Sequence, residues 1–153
     1  EIALVYARGL VILSYAQVQA QDVAGAKAGI DELRRLSQTE YKGDREIALV
    51  YARGLVILSY AQVQAQDVAG AKAVIDELTR LSQSEYKGDR EIALEYAKGL
   101  ANLSYAQVEA QDVAGAKAGI DELGRLSQTE YKEDEEFKIL YDKAAIMYSL
   151  RNP

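Results

Sequence analysis

Asp31-Glu32 recurs as Asp76-Glu77 and Asp121-Glu122, and a repeated carboxylate pair is the first place to look for acid–base chemistry. Adjacent residues on a helix point about 100° apart, so two such carboxylates cannot face one reacting atom. They are expected to be surface charges. The chain has no His and no Cys, which removes the commonest general base, the commonest metal ligand and every thiolate nucleophile. The glycines stand singly inside helical patterns, and no phosphate-cradling loop, Ser–base pair or metal-ligand spacing occurs. Neither enzymatic chemistry nor a cofactor is expected. What remains is recognition: arginines and tyrosines, the residue types enriched at interface hot spots, recur at regular spacing.

The spacing belongs to a repeat. Glu1-Ile2-Ala3-Leu4 returns as Glu46-Ile47-Ala48-Leu49 and as Glu91-Ile92-Ala93-Leu94, a period of 45 residues. The units are 1–45, 46–90 and 91–135, and 136–153 is an altered fourth copy of the first helix that caps one array, 1–153. Units one and two differ only at Gly29/Val74, Arg34/Thr79 and Thr39/Ser84. Each unit is expected to hold two helices. Helix A spans Glu1 to Ala20 and is apolar nearly all round, as a helix buried on several sides should be. Asp22 is placed to cap helix B, Val23 to Tyr41. Val23, Ala26, Ile30, Leu33 and Ser37 mark its dry face, and Lys27, Asp31, Arg34 and Gln38 its wet face. Lys42-Gly43-Asp44 then breaks the pattern. Gly25 and Gly29 suggest close approach of helix backbones. No segment has a strand pattern. Neither helix can bury its apolar surface alone, so the expected fold is all-α: a solenoid of helical hairpins, seven helices in all.

The register resembles that of tetratricopeptide (TPR) repeats. The family's large, large, small and aromatic positions of the first helix fall on Leu10, Leu13, Ser14 and Gln17. Those of the second helix fall on Val23, Ala26, Ile30 and Leu33. There is no Trp, Ser stands for Gly, Gln for Tyr, and the unit exceeds the usual length of about 34 residues. The resemblance implies a right-handed superhelix whose concave wall is made by the A helices. It also implies a protein or peptide partner held there by Arg8, Val11, Tyr15 and Gln19, by Arg53, Val56, Tyr60 and Gln64, and by Lys98, Ala101, Tyr105 and Glu109.

Differences between near-identical units point to the same surface. Unit three has Glu95 for Val50, Ala101 for Val56, Asn102 for Ile57 and Glu109 for Gln64, all on helix A. A packed position rarely accepts Ile to Asn, because an unpaired amide costs about 1–3 kcal/mol. The stripe Glu95, Lys98, Asn102, Tyr105, Glu109 is therefore expected to lie outside the core. In the earlier units it reads Val5, Arg8, Ile12, Tyr15 and Val50, Arg53, Ile57, Tyr60, an apolar groove flanked by cations and phenols. A competing expectation is that helix A is wrapped on all sides and the array serves as a structural or self-associating stack, joined through its repeat ends. Tyr6, Tyr51, Tyr96 and Tyr141 are expected between helices.

Charge and setting narrow the partner. The units carry net charges of 0, −1 and −6, and the whole chain −6, which argues against non-specific binding to nucleic acid or anionic membranes. The acidic run Glu133-Asp134-Glu135-Glu136 suits the N-terminus of the last helix. The longest apolar run, Ile47–Tyr60, is interrupted by Arg53 and too short to span a bilayer. No signal peptide is visible and a cytoplasmic setting is expected. The chain opens on Glu1 in mid-pattern, as a fragment of a longer protein would.

Overall fold

A computed structural model describes all residues, Glu1–Pro153. The fold is all-α, with seven helices and no strand: α1 (Ile2–Gln19), α2 (Val23–Gln38), α3 (Arg45–Gln64), α4 (Val68–Arg80), α5 (Arg90–Glu109), α6 (Val113–Arg125) and α7 (Glu135–Arg151). The first helices begin and end within a residue or two of their expected bounds. The second helices are shorter than expected. In units two and three the α-helix stops at Arg80 and Arg125, and one π-wound turn follows, Leu81–Glu85 and Leu126–Glu130. In all three units the Tyr amide reaches back five residues: Tyr41 to the Leu36 carbonyl at 2.9 Å, Tyr86 to Leu81 at 2.8 Å and Tyr131 to Leu126 at 2.9 Å. The wider turn leaves Leu36, Leu81 and Leu126 buried while the chain departs for the next unit.

Helix starts follow local chemistry. Asp22 accepts from the Gly25 amide at 2.8 Å, Asp67 from Gly70 at 2.9 Å and Asp112 from Gly115 at 3.0 Å. The A-to-B turn passes through Gln21, Gln66 and Gln111, each at a φ near 60°. Gly43 and Gly88, at φ 88° and 89°, give the left-handed residue before the next cap.

Each hairpin packs internally and on the next one. Successive first helices lie directly against each other (α1 on α3, α3 on α5, α5 on α7), and α2, α4 and α6 each reach the following first helix. The second helices have no comparable contact with one another. Burial follows position in the stack. The two central first helices α3 and α5 are buried on most sides, whereas α1 buries only Ala7 and Ser14 and α7 only Phe137 and Ala144. By length and composition α1 and α3 are each long and apolar enough to cross a membrane, which corrects the reading from the shorter run. In α3 that apolarity serves the core, since 67% of its window is buried inside the array.

The glycines mark where units touch. A Cβ on Gly54 would stand 2.7 Å from Ile30 Cδ1, and one on Gly99 2.6 Å from Ile75 Cδ1. Each socket receives the Ile and Leu of the preceding second helix. Gly9, with no hairpin before it, faces open space. Within a unit, Gly29 lies over the Ser14 hydroxyl rather than over a neighbouring backbone, its Cβ position 2.6 Å from that oxygen. Gly25 likewise makes room for the Asp22 and Gln17 side chains.

Polar ladders fix the stacking. Arg45 donates from Nε and Nη2 to the α5 cap Asp89 at 2.6 and 3.1 Å, and to Glu91 at 2.6 Å. One unit on, Arg90 does the same to the α7 cap Asp134 at 2.7 and 3.0 Å and to Glu136 at 2.8 Å. Part of the acidic run is thus ion-paired as well as capping. The Arg45 guanidinium holds the Asp89 carboxyl below its ordinary value of 3.8, and Arg90 does so for Asp134. A carboxyl depressed on folding contributes stability above its unfolded value and loses it as pH falls through the folded one. The thermal midpoint should therefore be flat from neutrality down to about pH 5 and fall below about pH 4. In an Asp89→Asn, Asp134→Asn variant it should be lower at pH 7 and decline less with acid, as followed by circular dichroism melts. Equal acid sensitivity in the two proteins would count against the clamps.

Candidate partner-binding face

The expected binding residues lie along one side of the first helices, but not all are free: Ala101 is buried, and Arg53, Asn102 and Glu109 each contact a neighbouring unit. On α1, Arg8, Ile12, Tyr15 and Gln19 are exposed and Val11 is half-buried. On α3, Arg53, Tyr60 and Gln64 are exposed, with Val56 and Ile57 half-buried. On α5, Tyr105 and Glu109 are exposed and Lys98 and Asn102 half-buried. Tyr15, Tyr60 and Tyr105 keep 56%, 46% and 37% of their surface. They do so even in the units where the other large apolar side chains of the first helix are largely covered.

The stripe does not run as far toward the helix starts as the sequence suggested. Val50 and Glu95 are buried, at 4% and 7% exposure, whereas Val5 on α1 is 66% exposed. Nor does Asn102 mark a free surface. Its amide donates to the Ser59 hydroxyl at 3.3 Å, so the group has a partner in the stack. Ser59 is available for this because its own hydroxyl turns to the Val56 carbonyl at 2.8 Å. In unit two, Val74 fills the space that Gly29 leaves over Ser14. The argument from an unpaired amide therefore fails at this position.

The surface divides into two hollows rather than one continuous groove. The first, about 450 Å³, brings Val11, Arg53, Val56, Ile57 and Lys98 together with Arg90, Glu91, Leu94, Glu95 and Glu136. The second, about 580 Å³, joins Gln64, Tyr105 and Glu109 with Val63, Gln66, Val68, Ala106 and Ala110. Arg90, Glu91 and Glu136 were not anticipated. The signal for them was present in the recurrence of Arg45 and Arg90 just before units two and three, with acids flanking the position one period later, Asp89 and Glu91, then Asp134 and Glu136.

Charge in the first hollow is largely self-neutralised. Lys98 lies 3.1 Å from Glu95, and Arg53 3.7 Å from Glu91. At the far end Arg151 of α7 pairs with Glu109 at 2.8 Å. The two exposed pairs, Arg53–Glu91 and Arg151–Glu109, are worth little energetically and can be exchanged for a partner's charges, whereas Lys98 covers the buried Glu95.

The Asp-Glu pairs belong elsewhere. Asp31, Asp76 and Asp121 are exposed as expected, but their Glu neighbours are half-buried braces between helices. Tyr51 donates to Glu77, and Tyr96 to Glu122 at 2.9 Å. Arg34, expected on the wet face, reaches across units to Glu77 at 2.9 and 2.8 Å. Burial, reinforced by Glu77, pushes the Tyr51 phenol well above its ordinary value of 10.0. In unit three Gly124 stands in the Arg34 place, and a Cβ there would touch the Tyr141 ring at 3.0 Å. No protein-family model, no curated protein and no solved structure matches this chain.

Proposed function

We propose that the array is a protein-interaction scaffold, similar in kind to tetratricopeptide repeats, that holds a peptide or partner helix along the concave side of the first helices α1, α3 and α5. The observation that carries this reading is the row of three phenols, Tyr15, Tyr60 and Tyr105, kept out of the core across three units. A buried-core tyrosine has no reason to recur at an exposed position, whereas an amphipathic ring beside a cation is suited to partner contact. Arg8, Arg53 and Lys98 precede these tyrosines by seven residues, two helical turns, on the same stripe. The packing supports an inward-facing stripe. An array whose first helices touch, while its second helices spread apart, bends toward the first-helix layer.

The test is a selection of displayed helical peptides against the intact protein. Peptides recovered this way should lose at least about tenfold in affinity, roughly 1.4 kcal/mol, against a variant with Arg8, Tyr15, Arg53 and Tyr60 all replaced by Ala. They should bind unchanged to a Lys27→Ala, Lys72→Ala variant on the second helices. All six side chains are exposed, so both variants should retain the parent melting curve. Undiminished binding to the quadruple variant would end the proposal.

A further inference from the structure

The hollow between units two and three carries a charge that its sequence counterpart lacks. Its floor is apolar. Val63 and Val68 stand on either side of the turn between α3 and α4, and Ala106 and Ala110 come from the end of α5. The exposed Tyr105 ring and the Glu109 carboxylate stand beside that floor. One period earlier these two places are held by Tyr60 and Gln64, so the ring recurs and the charge does not. The fold makes little use of the charge. Glu109 has one ionic contact, with Arg151, and its side chain is 63% exposed.

The next hollow along the array shows what such a space accepts. Between unit three and α7, Val108 and Val113 take the places of Val63 and Val68, and Glu109 again borders the space, of about 460 Å³. Here the chain supplies a guanidinium of its own. Arg151 lines this hollow, and its Nη2 lies 2.8 Å from the Glu109 carboxylate. In the repeat Arg151 holds the position that Ala106 holds in α5. The hollow between units two and three thus has the same two valines and the same glutamate, with a methyl group where its neighbour has an arginine.

We infer that the hollow between units two and three takes an arginine side chain of the partner, its guanidinium held between the Glu109 carboxylate and the Tyr105 ring. This rests on the scaffold reading and adds the chemistry of what is held. An arginine stem is three methylenes long and lies along an apolar floor while its head stays at the rim. The planar head stacks on an aromatic face and pairs with a carboxylate through two N–H groups, which a lysine ammonium cannot do together. Glu109 borders both hollows and its pair with Arg151 is exposed, so turning to a partner's guanidinium costs little. Arg151 is then an internal competitor. The net charge of −6 on unit three draws a basic segment toward this end of the array.

The test uses the short peptide acetyl-Leu-Arg-amide, titrated into the whole ¹⁵N-labelled chain. The amides of Val63, Val68, Tyr105 and Glu109 should shift saturably, with a dissociation constant of about 1 mM. The same peptide with citrulline, the uncharged isostere of arginine, should bind at least about tenfold more weakly, and so should the arginine peptide to Glu109→Gln. Arg151→Ala should tighten binding about two- to fivefold, the worth of an exposed ion pair. Both substituted side chains are exposed, so both variants should keep the parent melting curve. Three results would each overturn the inference: no saturable shift at these amides up to about 10 mM peptide, equal binding of the citrulline peptide, or unchanged binding to Glu109→Gln. None of the four changes in the Arg8, Tyr15, Arg53, Tyr60 variant lies in this hollow, so that variant should take the short peptide normally. Loss of the displayed helices alone strikes the scaffold reading, and loss of the short peptide alone strikes this one.

Discussion

Replacing Gly99 by Leu lowers the stability of the array by about 3 kcal/mol, the upper end of the usual cost of overpacking. The same replacement at Gly9 leaves stability unchanged or raises it by about 0.5–1 kcal/mol through helix propensity. The two glycines hold the same place in the repeat but not the same surroundings. A single Cβ at Gly99 already stands 2.6 Å from Ile75 Cδ1 and 2.8 Å from Leu78 Cδ1, and both side chains are buried. Three further carbons can enter only by prising unit two from unit three. At Gly9 there is nothing within 4 Å to displace. Urea unfolding of the two variants reads the difference as a shift in midpoint. Equal tolerance at both sites would mean that the units do not stack through these sockets.

Tyr51→Ala costs about 4 kcal/mol, as removal of a buried aromatic ring usually does, whereas Tyr6→Ala costs under about 1 kcal/mol. Tyr51 is fully buried and its hydroxyl donates to Glu77, which also accepts from Nε and Nη2 of Arg34 in the unit before. Truncation leaves a cavity between units and removes one of the partners of a half-buried carboxylate. Tyr6 is 49% exposed, and its hydroxyl lies 3.5 Å from Glu32, at the limit of a hydrogen bond. Tyr51→Phe separates the two contributions. It keeps the ring and leaves Glu77 with Arg34, so it should cost only about 1 kcal/mol. Thermal melts of the four proteins test the ordering. A Tyr6→Ala penalty equal to that of Tyr51→Ala would sink the view that burial here is set by position in the stack.

Near-identical units make the division between sequence and structure unusually clear. The period, the helical hairpin, the Asp22-type cap and the buried Tyr51 and Tyr96 were legible in the residues. Each rests on contacts within a turn or two of the chain, or on apolar spacing around one helix. The sequence alone therefore determined that this chain is a repeated array of helical hairpins. It could not determine which of three identical surfaces would be covered. Ile2 and Ile47 differ only in whether a hairpin precedes them, a fact of the stack and not of the residue. The partner of Asn102 was hidden for the same reason: Ser59 lies in the preceding unit, 43 residues away, and its own hydroxyl donates within its helix to the Val56 carbonyl. The ion pair of Glu77 likewise has its partner, Arg34, in another unit. Tertiary packing decided these points because burial and pairing are properties of neighbours. In a repeat array the neighbours change from one end to the other while the sequence does not.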